Sequence, residues 1–179
     1  ATRRLLSYRC EENQPSGLGP IVVGVDESGS MQGDRIVQAK ALALALAWVA
    51  RQQGRWVMLY GFSSRFLTSY VQPADKLDPA WLTRWACEFE QGGTALEPVL
   101  VKMPEVWAAN VPLQFRGKTD HIVITDGHFA NKQDDPCISS YKEWATREKV
   151  KTYAVFIGAD PHGPLKIAAQ HSWQVKDLG

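Results

Sequence analysis

The sequence predicts an α/β protein: an open, mostly parallel central sheet with one antiparallel edge strand, covered by helices on both faces in three layers. Three observations carry that expectation. Short apolar runs recur along the chain and are continuous rather than alternating, as strands buried on both faces require. Segments of helical character separate most of them, the alternation that builds parallel sheets. One further strand candidate follows its predecessor after only Ser63-Ser64-Arg65, short enough for a hairpin-like return.

Taken in order, Ile21-Val22-Val23-Gly24-Val25 is the first buried strand, bounded by the turn residues of Gln14–Pro20 and by Asp26. The segment Asp34–Gln53 follows, rich in Ala and Leu, with Asp34 near its start and Gly54 just beyond its end. Leu42, Leu44 and Leu46 alternate with Ala in a strand-like period, but about twenty residues of strong helix formers without a breaker predict a deeply buried helix. Trp56–Tyr60 is the second strand and Phe66–Val71 the hairpin-like third. Helices are expected near 79–87 and 95–109. His121–Thr125 is the next strand, then a helix near 138–149, the strand Tyr153–Ile157, and a last helix near 163–171. The seven tryptophans fall mainly on helix candidates and read as packing residues.

With 179 residues the chain is one domain with a core of ordinary size, here placed at 20–179 behind an N-terminal extension or linker at 1–19. Twenty basic and nineteen acidic residues leave a net charge of +1, which gives no electrostatic reason to expect nucleic acid or anionic lipid as partner. No run is long and apolar enough for a membrane span. Cys10, Cys87 and Cys137 are scattered and odd in number, and Asn13, Asn110 and Asn131 carry no glycosylation sequon. Both features favour reduced thiols in the cytoplasm.

In a doubly wound sheet, ligands bind beyond the carboxyl ends of the strands, where the chain order reverses. Asp26-Glu27-Ser28-Gly29-Ser30-Met31 follows the first strand and Asp126-Gly127 follows the His121–Thr125 strand. If the two strands are parallel, both aspartates emerge on one edge, where two desolvated carboxylates repel each other. No Lys or Arg lies within the Asp26–Met31 loop or directly after Asp126, so a bound cation is the simplest counter-charge. Asp26, Ser28, Ser30 and Asp126 offer only hard oxygen donors, which favours Mg²⁺, Mn²⁺ or Ca²⁺ over zinc or copper. Gly29 would let the loop turn tightly, and Gln91-Gly92-Gly93-Thr94 could add the Thr94 hydroxyl. Each signal alone has an ordinary explanation: a helix-capping serine, a Gly-Gly turn, an Asp-Gly turn.

Together, Asp-x-Ser-x-Ser after an apolar strand, Gly-Gly-Thr before a helix and Thr-Asp-Gly after another strand resemble the von Willebrand factor A (VWA) domain. Its metal ion-dependent adhesion site (MIDAS) uses the five positions held here by Asp26, Ser28, Ser30, Thr94 and Asp126. The resemblance runs from about Pro20 to the C-terminus and includes the Phe62-Ser63-Ser64 turn. It implies a Rossmann-like domain that is not an enzyme. One divalent ion, usually Mg²⁺, would keep an open position for an Asp or Glu of a protein partner. Ser28 and Ser30 are expected in direct contact with the ion, Asp126 or Thr94 through water. Glu27 is expected to point away from it.

Gly19–Met31 is most similar to the bacterial intracellular branch, the CoxE-like and ViaA-like proteins that work with MoxR-type AAA+ ATPases. That similarity implies a cytoplasmic adaptor docking an ATPase or its client. The rival on the same fold is an extracellular adhesion domain. The rival of another class is a dehalogenase-like phosphatase, which would need an acidic residue where Ser28 stands; a phosphate-cradling loop lacks its Lys-Ser/Thr pair, since Asp34-Arg35 follows Gly33. His128 is read as a surface-loop histidine, and Asp134 and Asp135 as a solvated pair.

Overall fold

Each apolar run forms a strand, and the runs assemble into one six-stranded sheet. The computed structural model describes residues 18–130 and 135–176. Strands β1 (Leu18–Asp26), β2 (Val57–Phe62), β3 (Phe66–Gln72), β4 (Lys118–Thr125), β5 (Val150–Ile157) and β6 (His171–Val175) lie in the order β3-β2-β1-β4-β5-β6. All neighbours are parallel except β2 and β3, which pair antiparallel and place β3 at one edge. The expected architecture is therefore the observed one. The chain winds outward from β1 in both directions, so the order reverses between β1 and β4.

The helices are α1 (Asp34–Gln52), α2 (Pro79–Cys87), α3 (Glu97–Asn110), α4 (Pro136–Arg147) and α5 (Gly163–Ala168). α1 and the buried Trp85 of α2 pack on one face, against Val23, Val25, Leu59 and Ile124; α3, α4 and α5 pack on the other, against Val22, Met58, Val123 and Phe156. Burying Trp85 and Trp107, both 1% exposed, contributes about 1.5–3 kcal/mol per large side chain.

Three expectations need correction. α1 is buried along one stripe rather than deeply: Ala39, Ala43, Ala47 and Ala50 face the sheet, spaced at three and four residues. Small side chains there let the helix sit close to the strands, and Leu42, Leu44 and Leu46 fall on its flanks, only partly covered. The last expected helix stops at Ala168, and His171-Ser172-Trp173-Gln174-Val175 adds β6 as a second edge strand. Its half-exposed, polar-interrupted sequence carries none of the continuous apolarity that marks the inner strands. Finally, β1 begins at Leu18, ahead of the expected boundary at Pro20; residues 1–17 of the expected extension lie outside the described residues.

A hydrogen-bonded polar cluster is enclosed in the core. His121 of β4 is fully buried, its Nε2 2.7 Å from the Tyr60 hydroxyl and its Nδ1 2.6 Å from the Tyr141 hydroxyl, which in turn bonds Thr152 at 2.7 Å. Tyr60 reaches His121 across β1 because Gly24 lies between them: a Cβ there would stand 2.3 Å from the tyrosine ring. Burial holds the imidazole neutral, with its pKa lowered to about 3, and pushes both tyrosines up.

Candidate functional site

At the reversal point, the register that sets Val25 beside Ile124 brings Asp26 level with Thr125. The Thr125 hydroxyl donates to Asp26 Oδ2 at 2.6 Å, and the Ser28 amide donates to Asp26 Oδ1 at 2.9 Å. Asp126 follows directly. Both carboxylates are fully buried, at 0% exposure. Burial raises the Asp26 pKa; hydrogen bonds from Thr125 and Ser28 oppose the rise, and the nearby charge of Asp126 adds to it.

The two serine hydroxyls stand 3.1 Å apart, Ser28 buried and Ser30 exposed at the surface. The alternative that they cap α1 does not hold. The residue before α1 is Gly33, and no side chain caps that helix or the short Gly29–Met31 turn. Two hydroxyls side by side, unused by any helix end and beside two buried carboxylates, form a compact set of hard oxygen donors. Gly29 opens the tight 3-10 turn Gly29–Met31, and the left-handed residue of this loop is Gly33, with φ of 87°.

The third loop is stitched to the first. Gly29 donates to the Gly92 carbonyl at 2.9 Å and Gln91 to the Glu27 carbonyl at 3.0 Å, in a short parallel bridge between Ser28 and Gly92. Thr94, nearly buried, lies two residues on, and its carbonyl accepts from Ala130 at 3.1 Å, tying this loop to the one after Asp126. The structure thus gathers the loops of Asp26, Ser28, Ser30, Thr94 and Asp126 at one edge of the sheet. Among the described residues, no three His, Cys, Asp or Glu side chains cluster as metal ligands. A cation held here needs the hydroxyls as well as the carboxylates, and the donor set present fits a hard divalent ion.

Glu27 turns into the protein. Its Oε1 lies 2.5 Å from Lys40 Nζ, both side chains 4% exposed, and Lys40 also donates to the Trp85 carbonyl at 2.9 Å. Burial pushes the Glu27 pKa up and the Lys40 pKa down, each offset by the other's charge.

Sequence reasoning missed two groups. Thr125, the last strand residue, orients Asp26 through its hydroxyl. Arg35, in the first turn of α1, places Nη1 3.2 Å from Asp126 Oδ2 and 3.3 Å from the Ser30 carbonyl. The two loops themselves carry no Lys or Arg, as read from the sequence, but Arg35 lies beyond the first loop in sequence and brings a positive charge to Asp126. His128 is 65% exposed in its side chain, as a surface-loop histidine should be, yet its Nδ1 lies 3.1 Å from Asp126 Oδ1. Asp135 caps α4 by accepting from the Cys137 amide at 3.0 Å, while Asp134 lies outside the described residues. No described helix is long and apolar enough to cross a membrane.

No family model matches the chain. Two uncharacterized proteins of Methanocaldococcus jannaschii are similar to it. One is 25% identical over 98% of this chain and 39% of its own length; the other is 29% identical over 97% and 41%. The chain therefore spans about two fifths of the length of these relatives. Among solved structures, the von Willebrand factor type A protein from Catenulispora acidiphila matches 89% of this chain with a TM-score of 0.65 at 18% identity, over 39% of its own length. The SpRpn10 VWA domain matches 89% with a TM-score of 0.63 at 8% identity, over 88% of its own length. A conserved hypothetical protein, BatB from Bacteroides thetaiotaomicron, matches 89% at 0.57 and 14% identity, over 91% of its own length. At these identities the likeness establishes the fold, which is that of VWA domains.

Proposed function

We propose that this domain is a divalent-metal-dependent protein-interaction module rather than an enzyme. Asp26, Ser28 and Ser30, completed by Thr94 and Asp126, would hold Mg²⁺, with Mn²⁺ and Ca²⁺ as chemically compatible substitutes. The observation that carries this reading is the pairing of two fully buried carboxylates with two adjacent hydroxyls that cap no helix. Keeping two buried carboxylates ionised side by side is costly, and a divalent cation lowers that cost.

When bound, the ion would supply a Lewis-acidic point attractive to the carboxylate of an Asp or Glu of the partner. The chain's own residues do the rest. Thr125 and the Ser28 amide fix the orientation of Asp26. The Gly92 bridge holds the first and third loops together. Neutral hydroxyls complete the donor set without cancelling the ion's charge, so it stays attractive to an incoming acid.

The finer reading is a cytoplasmic adaptor for a MoxR-type AAA+ ATPase, supported by the similarity of Gly19–Met31 to that intracellular branch. Immobilised domain incubated with a purified MoxR-type ATPase tests it. Capture is expected in Mg²⁺ and is expected to disappear in EDTA and with Asp26→Ala. Capture that ignores EDTA, or none in either condition, removes the adaptor assignment.

A further inference from the structure

Arg35 stands where a counter-ion to Asp126 is needed, and nothing in the proposed metal chemistry requires it. Its guanidinium reaches from the first turn of α1 over the Ser28–Ser30 loop to the Asp126 carboxylate, 3.2 Å from Oδ2, with a weaker contact of 3.3 Å to the Ser30 carbonyl. Gly158, just past β5, leaves room for the side chain: a Cβ there would approach Nε and Nη2 to 3.3 Å. The side chain is 31% exposed while Asp126 is fully buried, so the carboxylate is fixed and the guanidinium sits at the rim. A unit positive charge against one member of the carboxylate pair performs, without a metal, part of the neutralisation that a divalent ion performs.

We propose that Arg35 is a built-in competitor of the divalent cation: it balances Asp126 in the metal-free protein and raises the metal concentration at which the site fills. The proposal rests on the metal-site reading above. Its physics is like-charge repulsion. A divalent ion sharing the Asp126 carboxylate would lie within a few ångströms of the guanidinium, where repulsion at a partly buried site is not screened away. The ion therefore binds more weakly while Arg35 stays, or binds as the side chain swings outward, which its exposure permits. Either way, part of the binding free energy offsets the lost Arg35–Asp126 contact. A protein so built does not need the ion to hold its edge loops together, and its partner-binding state responds to the free metal concentration.

Calorimetric titration of Mg²⁺ and of Mn²⁺ into the wild-type chain, Arg35→Gln, Arg35→Lys and Asp26→Ala tests this. Arg35→Gln is expected to bind the ions about tenfold more tightly or better, a gain of roughly 1.4 kcal/mol. It is also expected to melt below wild type in EDTA, with the gap narrowing in Mg²⁺. Arg35→Lys keeps the charge and should stay close to wild type. Equal or weaker metal binding by Arg35→Gln, with Asp26→Ala still abolishing it, overturns the competitor role and leaves the metal site standing. Arg35→Lys binding as tightly as Arg35→Gln overturns it too, because charge would then not be the cause. If neither the wild-type chain nor Arg35→Gln binds either ion, the metal-site reading falls and this inference with it.

Discussion

The buried polar clusters around His121 and at the Asp26–Asp126 end of the sheet are built on opposite terms. Around His121, every polar atom is spent inside the protein. Tyr60 and Tyr141 bond the two ring nitrogens, Thr152 closes the chain, and no charge is carried. At the sheet edge, Asp26 and Asp126 are as completely buried, yet Ser28 and Ser30 offer hydroxyls that answer no helix end. Arg35 and His128 reach Asp126 from the surface. Buried polarity that closes on itself fixes a structure. Buried polarity left open at a sheet edge, with like charges side by side, is disposed to receive a ligand.

Glu27 sharpens the contrast, since it is one residue from Asp26 and follows the interior rule by pairing with Lys40. The largest expected effect comes from breaking that pair. Lys40→Met leaves a buried carboxylate without its partner and should cost about 3–5 kcal/mol in denaturant unfolding. A loss under about 1 kcal/mol would mean that water or another cation satisfies Glu27 and that it belongs with the open group.

Acid comes next. His121 is neutral in the fold, with its pKa depressed to about 3, whereas in the unfolded chain it takes a proton near pH 6.5. Its contribution is therefore fully present above about pH 6.5 and is lost as pH falls below that value. Between pH 6.5 and 4.5 the loss should be roughly 2–3 kcal/mol. His121→Gln should lower stability at pH 7 and flatten this acid limb, with the metal response unchanged. An acid limb identical in the variant would place the titration elsewhere.

The smallest stability effect belongs to the open group itself. Ser28→Ala with Ser30→Ala should change unfolding free energy in EDTA by less than about 1 kcal/mol, because neither hydroxyl caps a helix. The same double variant should weaken Mg²⁺ binding by tenfold or more, read by calorimetry. A large stability loss without a change in metal affinity would move these serines into the structural class.

The sequence made the inner sheet easy to read and the edges hard. β1, β2, β4 and β5 are covered on both faces, so their apolar runs are continuous; β6 is an edge, and Trp173 and Gln174 on it stand exposed. Tryptophan as packing residue holds for Trp85 and Trp107, both buried, but Trp48 and Trp173 are about half exposed, because hydrophobic character alone does not report which face of a helix or strand meets the core. The loops of the five candidate residues could be placed at one end of the sheet because each follows or precedes a strand or helix at a fixed offset. Arg35 and Thr125 could not, since their roles arise only when α1 and β4 are set beside the Asp26 loop in space.

The central claim is that the open edge holds a divalent cation through Asp26. Thermal unfolding of the wild-type chain and of Asp26→Ala, each in EDTA and across a Mg²⁺ titration, tests it most directly. The wild-type Tm should rise with Mg²⁺, corresponding to about 2.7 kcal/mol of stabilisation at a hundred times the dissociation constant, while Asp26→Ala stays flat. A wild-type Tm indifferent to Mg²⁺, Mn²⁺ and Ca²⁺, or an Asp26→Ala response equal to wild type, would contradict the account.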